Sequence, residues 1–226
     1  MSDFIIITTS PIPGPWVWVI AHATLVFEGL LCAFGPGFSD NFHGNILSGA
    51  AMPKSSSATA GLLARQFKEI QKARDLPGIS CGLVKDNVFE WEVMLMINDD
   101  CKYYGGGNFT CTLTFPPTYP LYPPTLIFKT PIPFHPNIYP DGTLCISILH
   151  PPEEDKYGYE SASERWSPVQ SPETILVSTI SLMYSPNDES PANVEAAKLW
   201  RAEKTSGDKE FKRRCRKIVR ESLGED

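Results

Sequence analysis

Apolar positions along the chain recur with two different periods, and the change of period marks out the elements. Leu63, Phe67 and Ile70 recur at helical spacing, with Arg65, Lys68, Lys72 and Arg74 on the other faces. This predicts a short amphipathic helix ended by Pro77-Gly78. Ile79, Cys81 and Leu83 then alternate with other residues, and Phe89, Trp91, Val93, Leu95 and Ile97 alternate through a longer stretch, as strands do. A glycine turn over 104–108 leads into Phe109, Cys111, Leu113 and Phe115, interleaved with Thr110, Thr112 and Thr114, which reads as a half-buried strand with a polar face. Pro116, Pro117, Pro120, Pro123 and Pro124 form a rigid connection to a short strand at 126–128. One helix followed by strands on short turns predicts an α+β domain with a meander of four antiparallel strands.

From 131 to 168 there is no long periodicity. Helical signals resume at Ser171-Pro172-Glu173, where Ser caps, Pro fits the first turn and Glu suits the positive helix end. Ile175, Leu176, Ile180 and Met183 supply the apolar face. Two more helices are expected, over 191–202 and 208–223, giving three after the sheet. The last carries Lys209, Lys212, Arg213, Arg214, Arg216, Lys217 and Arg220, read as a solvated face in preference to a docking patch.

Composition narrows the function classes. The 226 residues carry a net charge of −6, which argues against broad nucleic-acid binding. The six cysteines include no C-x-x-C pair and no Cys/His spacing suited to zinc, so no metal is expected, and they read as reduced thiols of a cytoplasmic or nuclear protein.

Residues 1–53 differ from the rest. They hold Asp3, Glu28 and Asp40 but no Lys or Arg, and they contain an apolar run of 19 residues over 16–34. Three readings stand. A secretory signal would need a positive leading region, which is missing. A membrane span, about 20 residues long, would enclose His22 and Glu28 and lack flanking basic residues, but it would place the protein at a membrane surface such as that of the endoplasmic reticulum. The third reading is a poorly ordered extension, or a stretch that is not translated, with the polar lead-in after Met52 as the true start. The catalytic domain is expected over 54–226.

The irregular stretch holds His135-Pro136-Asn137, a turn at Asp141-Gly142, and Cys145 eight residues after Asn137. A thiol is a natural acyl carrier, because it is more nucleophilic at neutral pH than a hydroxyl and its thioester stays reactive toward amines. Turn-rich backbone on both sides can hold the sulfur at a surface groove; the alternative is a core cysteine, as Cys81 and Cys111 are read on their strands. His150, five residues beyond Cys145, raises a Cys/His protease, but no nucleophile-bearing helix follows this cysteine.

This pattern resembles the active-site signature of ubiquitin-conjugating enzymes. Tyr119-Pro120-Leu121-Tyr122-Pro123-Pro124, Trp166-Ser167-Pro168 and Ser185-Pro186-Asn187 resemble further family motifs in the same order, and the likeness spans about 60–226. The resemblance implies a thioester on Cys145 and a role for Asn137 either as donor to the oxyanion or in holding the neighbouring loop. It gives His135 and Pro136 supporting structural roles. Ser190 stands where many members have an acid that handles the lysine proton, with Asp188 and Glu189 adjacent. The implied partners are ubiquitin, an activating enzyme at Arg65, Lys68 and Lys72, and a ligase, of RING type, at Leu121, Ser167 and Pro168. No cofactor is implied, and no phosphate-cradling glycine loop is present. The chain departs from the minimal pattern by a slightly longer 124–135 connection and by an insertion after Cys145 that begins with the acids Glu153, Glu154 and Asp155. That insertion is similar to the acidic loop of the G-type and Cdc34-type subgroup, and the expectation is that it orients the acceptor.

Overall fold

The computed structural model describes residues 57–73, 76–152 and 163–225. The apolar run at 16–34 and the acids at 153–155 lie outside the described residues. Among those described, no helix is long and apolar enough to cross a membrane.

Helix α1 (Ser57–Lys72) precedes strands β1 (Ile79–Val84), β2 (Asn87–Met96), β3 (Asn108–Thr114) and β4 (Thr125–Phe128). The strands pair in sequence order, all antiparallel. Register puts Trp91 opposite Leu113, Val93 opposite Cys111 and Leu95 opposite Phe109, so the alternating apolar residues share one face. That face is fully buried at Trp91, Val93, Leu95 and Leu113, each side chain stabilising the fold by about 1.5–3 kcal/mol. Helix α1 closes over it with Leu63, and Phe67 meets the Trp91 ring edge-on at 5.1 Å.

Three helices follow: α2 (Pro172–Tyr184), α3 (Val194–Ser206) and α4 (Glu210–Ser222). Helix α2 starts where the sequence signals place it: the Ser171 hydroxyl accepts from the Thr174 N–H and the Thr174 hydroxyl accepts from the Ser171 N–H, closing a capping box. Helix α3 is a correction to the expected 191–202. Asn193, whose side chain accepts from the Ala196 N–H at 3.0 Å, is the cap, so the helix begins three residues later and runs on to Gly207 in the left-handed region. Trp200 of α3 and Phe211 of α4 pack edge-on against Tyr103 at 5.0 and 5.1 Å, which fixes both helices to the turn before β3. Part of the basic surface of α4 is used internally: Arg213 and Arg214 bond Glu210, Arg214 also bonds Glu195, and Arg216 donates to the Gly105 and Lys102 carbonyls.

Past β4, residues 137–145 fold back as a narrow hairpin that pairs with the free edge of the sheet. Phe128 N–H donates to the Gly142 carbonyl and Leu144 N–H to the Leu126 carbonyl. An open edge is thereby covered, and the residue after Leu144 is delivered to the rim of the sheet. Gly142 makes the turn possible. Its φ is +92°, and a Cβ there would lie 2.2 Å from the Phe128 carbonyl oxygen.

Candidate active site

The described cysteines separate by environment. Cys101, Cys111 and Cys215 are buried and Cys81 and Cys145 are half-buried. Burial pushes the Cys81 thiol up to about 11 and the Cys111 and Cys215 thiols up to about 12, which keeps all three protonated and inert. Cys145 lies instead in a shallow surface groove of about 230 Å³, walled by Thr125, Tyr139, Thr143, Leu149 and His150.

Local backbone fixes the thiol. Cys145 N–H donates to the Asn137 carbonyl at 2.9 Å, closing the hairpin, while Ile138 and Leu144 pair inside it. Within the turn the Asp141 carboxylate accepts from the Thr143 N–H at 2.9 Å, and the Gly142 N–H bonds the Tyr139 carbonyl. The Asp141 carboxyl is held below its usual range by these bonds from Thr143.

His135, Pro136 and Asn137 are all buried, and they support the hairpin from behind. The His135 ring is fully enclosed. Its Nδ1 accepts from the Asn137 N–H at 2.9 Å and its Nε2 donates to the Leu182 carbonyl at 3.0 Å. Burial drives its ionisation down to about 4, so at neutral pH it is an uncharged ring with both nitrogens occupied and no route to a substrate proton. The Pro136 carbonyl accepts from the Asn193 N–H, tying the motif to the start of α3.

The Asn137 side chain makes a two-way bridge to Asn187: its Nδ2 donates to the Asn187 carbonyl at 2.7 Å, and its Oδ1 accepts from the Asn187 N–H at 2.9 Å. It therefore holds the loop before α3, and a carboxamide nitrogen has a second hydrogen that this bridge does not use. In that loop Ser190 is exposed. The Asp188 carboxylate bonds Arg201 Nε at 2.8 Å and is held below its usual range by that bond first, and its backbone carbonyl also accepts from Arg201. Asp188 is thus a loop anchor.

The remaining predicted residues lie on other surfaces. Leu121 is 63% exposed, beside the partly buried Ser167 and the exposed Pro168 in sequence-distant loops joined by the Trp166 indole, which donates to the Pro120 carbonyl at 2.9 Å. Arg65, Lys68 and Lys72 line one exposed face of α1, where Arg65 approaches Glu69 to 4.0 Å.

Two neighbours of the thiol stand out: Tyr139, which sequence reasoning misses, and His150, which it notes by spacing alone. The Tyr139 phenol is raised above its ordinary range, first by the charge of the Cys145 sulfur and then by a hydrogen bond to it. His150 Nε2 lies 3.4 Å from Cys145 Sγ, because the 3₁₀ turn Ser147–Leu149 folds the chain back on itself. The signal available was the Ile-Ser-Ile-Leu stretch between Cys145 and His150, too short to carry a readable period.

The ubiquitin-conjugating enzyme family model matches residues 62–219. Ubiquitin-conjugating enzyme E2 15 of Schizosaccharomyces pombe is 56% identical over 169 residues, covering 74% of this chain and 97% of that protein. Ubiquitin-conjugating enzyme E2 13 of Arabidopsis thaliana is 50% identical over 71% of this chain and 93% of its own length. Ubiquitin-conjugating enzyme E2 G2 of Homo sapiens is 49% identical over 65% of this chain and 86% of its own length.

Proposed function

The chain belongs to the ubiquitin-conjugating enzyme family, and on that premise we propose that Cys145 is the residue that carries ubiquitin as a thioester. The protein is a cysteine thioester transferase working with ubiquitin, an activating enzyme and ligases. The observation that carries Cys145 is its environment: it is half-buried in an open groove, on a hairpin whose backbone is pinned at both ends, whereas burial keeps Cys81, Cys111 and Cys215 protonated. Its thiol attacks the thioester on the activating enzyme, and the acyl group then passes to a lysine amine.

Asn137 serves the second step. Amine attack builds negative charge on the thioester oxygen, and the amide held by Asn187 sits next in the hairpin to the Cys145 backbone. A fixed donor of this kind is worth about 3–4 kcal/mol in acyl transfer. His135 and Pro136 position that amide. The Arg65, Lys68 and Lys72 face of α1 is assigned to the activating enzyme, and Leu121 with Ser167 and Pro168 to a ligase of RING type. Ser190 shapes the entry for the lysine. Residues 1–51 are dispensable for this chemistry, so a protein starting at Met52 charges at the full-chain rate, and its site of action is the cytoplasm or nucleus. Recovery of full-length native protein only from the membrane fraction argues instead for an anchor at 16–34 and action at a membrane surface.

The charging assay tests Cys145. With activating enzyme, ATP and ubiquitin, the wild type forms a reductant-sensitive adduct, Cys145→Ala forms none, and Cys145→Ser forms a reductant-resistant ester. Normal reductant-sensitive charging of Cys145→Ala removes the assignment.

A further inference from the structure

Resting on Asn137 as the donor of the transfer step, we propose that Arg201 is a positioning residue for that step, holding the Asn187–Asp188 backbone against the Asn137 amide. Arg201 lies on α3, and its guanidinium makes two bonds to one residue. Its Nε donates to the Asp188 carboxylate at 2.8 Å, and its Nη2 donates to the Asp188 carbonyl oxygen. A planar guanidinium serves two acceptors at once in a fixed fork, which a lysine ammonium does not.

Hydrogen bonds from two elements meet on two successive residues. The Asn187 carbonyl accepts from Asn137 Nδ2 at 2.7 Å, and the Asn187 N–H donates to Asn137 Oδ1 at 2.9 Å. One residue on, the Asp188 carbonyl accepts from Arg201. The Asn187 side chain adds a local turn, its Oδ1 accepting from the Glu189 N–H at 3.0 Å. Asn137 thus grips residue 187 from the hairpin, and Arg201 grips residue 188 from the helix. Both side-chain bonds of Asn137 go to loop backbone, so its amide is only as fixed as that loop.

The ends of the loop are held separately. At its root the Leu182 carbonyl bonds His135 and the Tyr184 hydroxyl donates to the Asp100 carboxylate at 2.6 Å. At its far end the Asn193 N–H donates to the Pro136 carbonyl. Between Asn187 and Asn193, where Glu189 and Ser190 are exposed, the hold on Asp188 comes from Arg201. Lys204, the other cation of α3 that acts on Asp188, is engaged elsewhere, with its Nζ over the Trp200 ring at 4.4 Å. The Arg201 and Asp188 side chains are 51% and 29% exposed, and an ion pair so open to water contributes little to stability. Its effect lies in geometry: a reacting group misplaced by about 1 Å can cost on the order of 100-fold in rate.

The experiment compares wild type, Arg201→Ala, Asn137→Ala, the double variant and Lys198→Ala, which removes another exposed cation of α3. Discharge of preformed thioester to free lysine and single-turnover charging are measured on each, and amide hydrogen exchange is followed by NMR on the uncharged protein. Arg201→Ala should slow discharge about tenfold while charging and the urea midpoint stay close to wild type. The double variant should discharge within about twofold of Asn137→Ala alone, because both changes act through one amide. Lys198→Ala should match wild type. In Arg201→Ala the Asn187 amide should exchange at least about tenfold faster while the Val93 amide, in the middle of the sheet, is unchanged. Exchange needs neither partner nor thioester, so unchanged exchange at Asn187 overturns the proposal whatever the transfer rates are. Additive losses in the double variant, or equal losses in charging and discharge, also overturn it. Slow discharge in Asn137→Ala with normal discharge in Arg201→Ala removes Arg201 and leaves the Asn137 reading standing; the converse removes both.

Discussion

The backbone N–H of Cys145 donates to the carbonyl oxygen of Asn137 at 2.9 Å, so the half-buried thiol and the buried amide belong to the two residues of one hairpin rung. The same asparagine reaches through its side chain to both backbone groups of Asn187, in the loop before α3. One residue thus fixes the distance between the Cys145 hairpin and that loop.

Asn137→Ala removes the side-chain bridge and the amide donor but keeps the rung to Cys145. Charge on the thioester oxygen develops when the amine attacks, so discharge to lysine should fall about 100-fold. Charging should fall less than about fivefold, because the nucleophile there is a thiolate, which attacks a thioester more readily than an amine does. The lost bridge should also lower unfolding stability by about 1–3 kcal/mol. Single-turnover charging, lysine discharge and urea unfolding on one preparation separate these effects; equal losses in both transfer steps leave Asn137 a structural role only.

His135 makes stability depend on pH. Its ordinary value is near 6.5 and burial lowers it to about 4 in the folded protein, so the unfolded chain binds the extra proton between these values. The stabilisation is complete above about pH 6.5 and is lost as pH falls toward 4, at up to about 1.4 kcal/mol per unit. From pH 7 to pH 5 unfolding free energy should drop by roughly 2 kcal/mol in the wild type, and His135→Gln should remove that drop while lowering stability at pH 7. Glu210, held down to about 2 by Arg213 and then Arg214, loses its contribution only at more acid pH. Urea midpoints at the two pH values check this, and identical slopes in wild type and variant contradict it.

The strands were legible because their burial alternates in the sequence: every second residue from Trp91 to Leu95 and from Phe109 to Leu113 faces the core. The start of α2 was legible because Ser171, Pro172 and Thr174 act within one turn of chain. The start of α3 was misplaced because Pro191 is a good first-turn residue, while the deciding cap, Asn193, is recognised only by its bond to Ala196. In the site, Cys145 and Asn137 stood out through motif spacing, but the groove wall did not. The contact of His150 with Cys145 depends on a three-residue 3₁₀ turn, and the partner of Asn137 lies fifty residues away, a separation without periodicity. Asp188, noted in the sequence only as adjacent to Ser190, is bound to Arg201, a partner thirteen residues away that no motif signals.

Gly142→Ala tests how tightly the hairpin is held against β4. The new Cβ meets the Phe128 carbonyl at 2.2 Å and the residue is asked to keep a φ of +92°. Strain at such a φ costs about 1–3 kcal/mol, and relieving the clash breaks the Phe128–Gly142 hydrogen bond as well. Denaturant unfolding should show a loss of about 3 kcal/mol or more, and charging should fall because the rung carrying Cys145 shifts with the turn. Wild-type stability in the variant means the hairpin is not seated on the sheet edge in this way.

The insertion after Cys145 offers the last test. Glu153, Glu154 and Asp155 can attract a basic surface on the acceptor, and correct placement of an amine is worth several kcal/mol in transfer reactions. Two backbone bonds of His150, to Ser147 and to Trp166, lie outside 153–162. Replacing 153–162 by a short Gly-Ser linker should therefore leave single-turnover charging intact while ubiquitin–ubiquitin chain formation falls at least tenfold. Reversing the charges of Glu153, Glu154 and Asp155 in the intact chain should produce a similar defect. Added salt should bring the wild type toward the same rate, since exposed charges are screened beyond about 8 Å at physiological ionic strength. Chain formation at the wild-type rate in the linker variant makes the insertion a passive loop; a loss of charging as well makes it a support for the neck at His150 and Trp166, and in either case acceptor orientation is not its role.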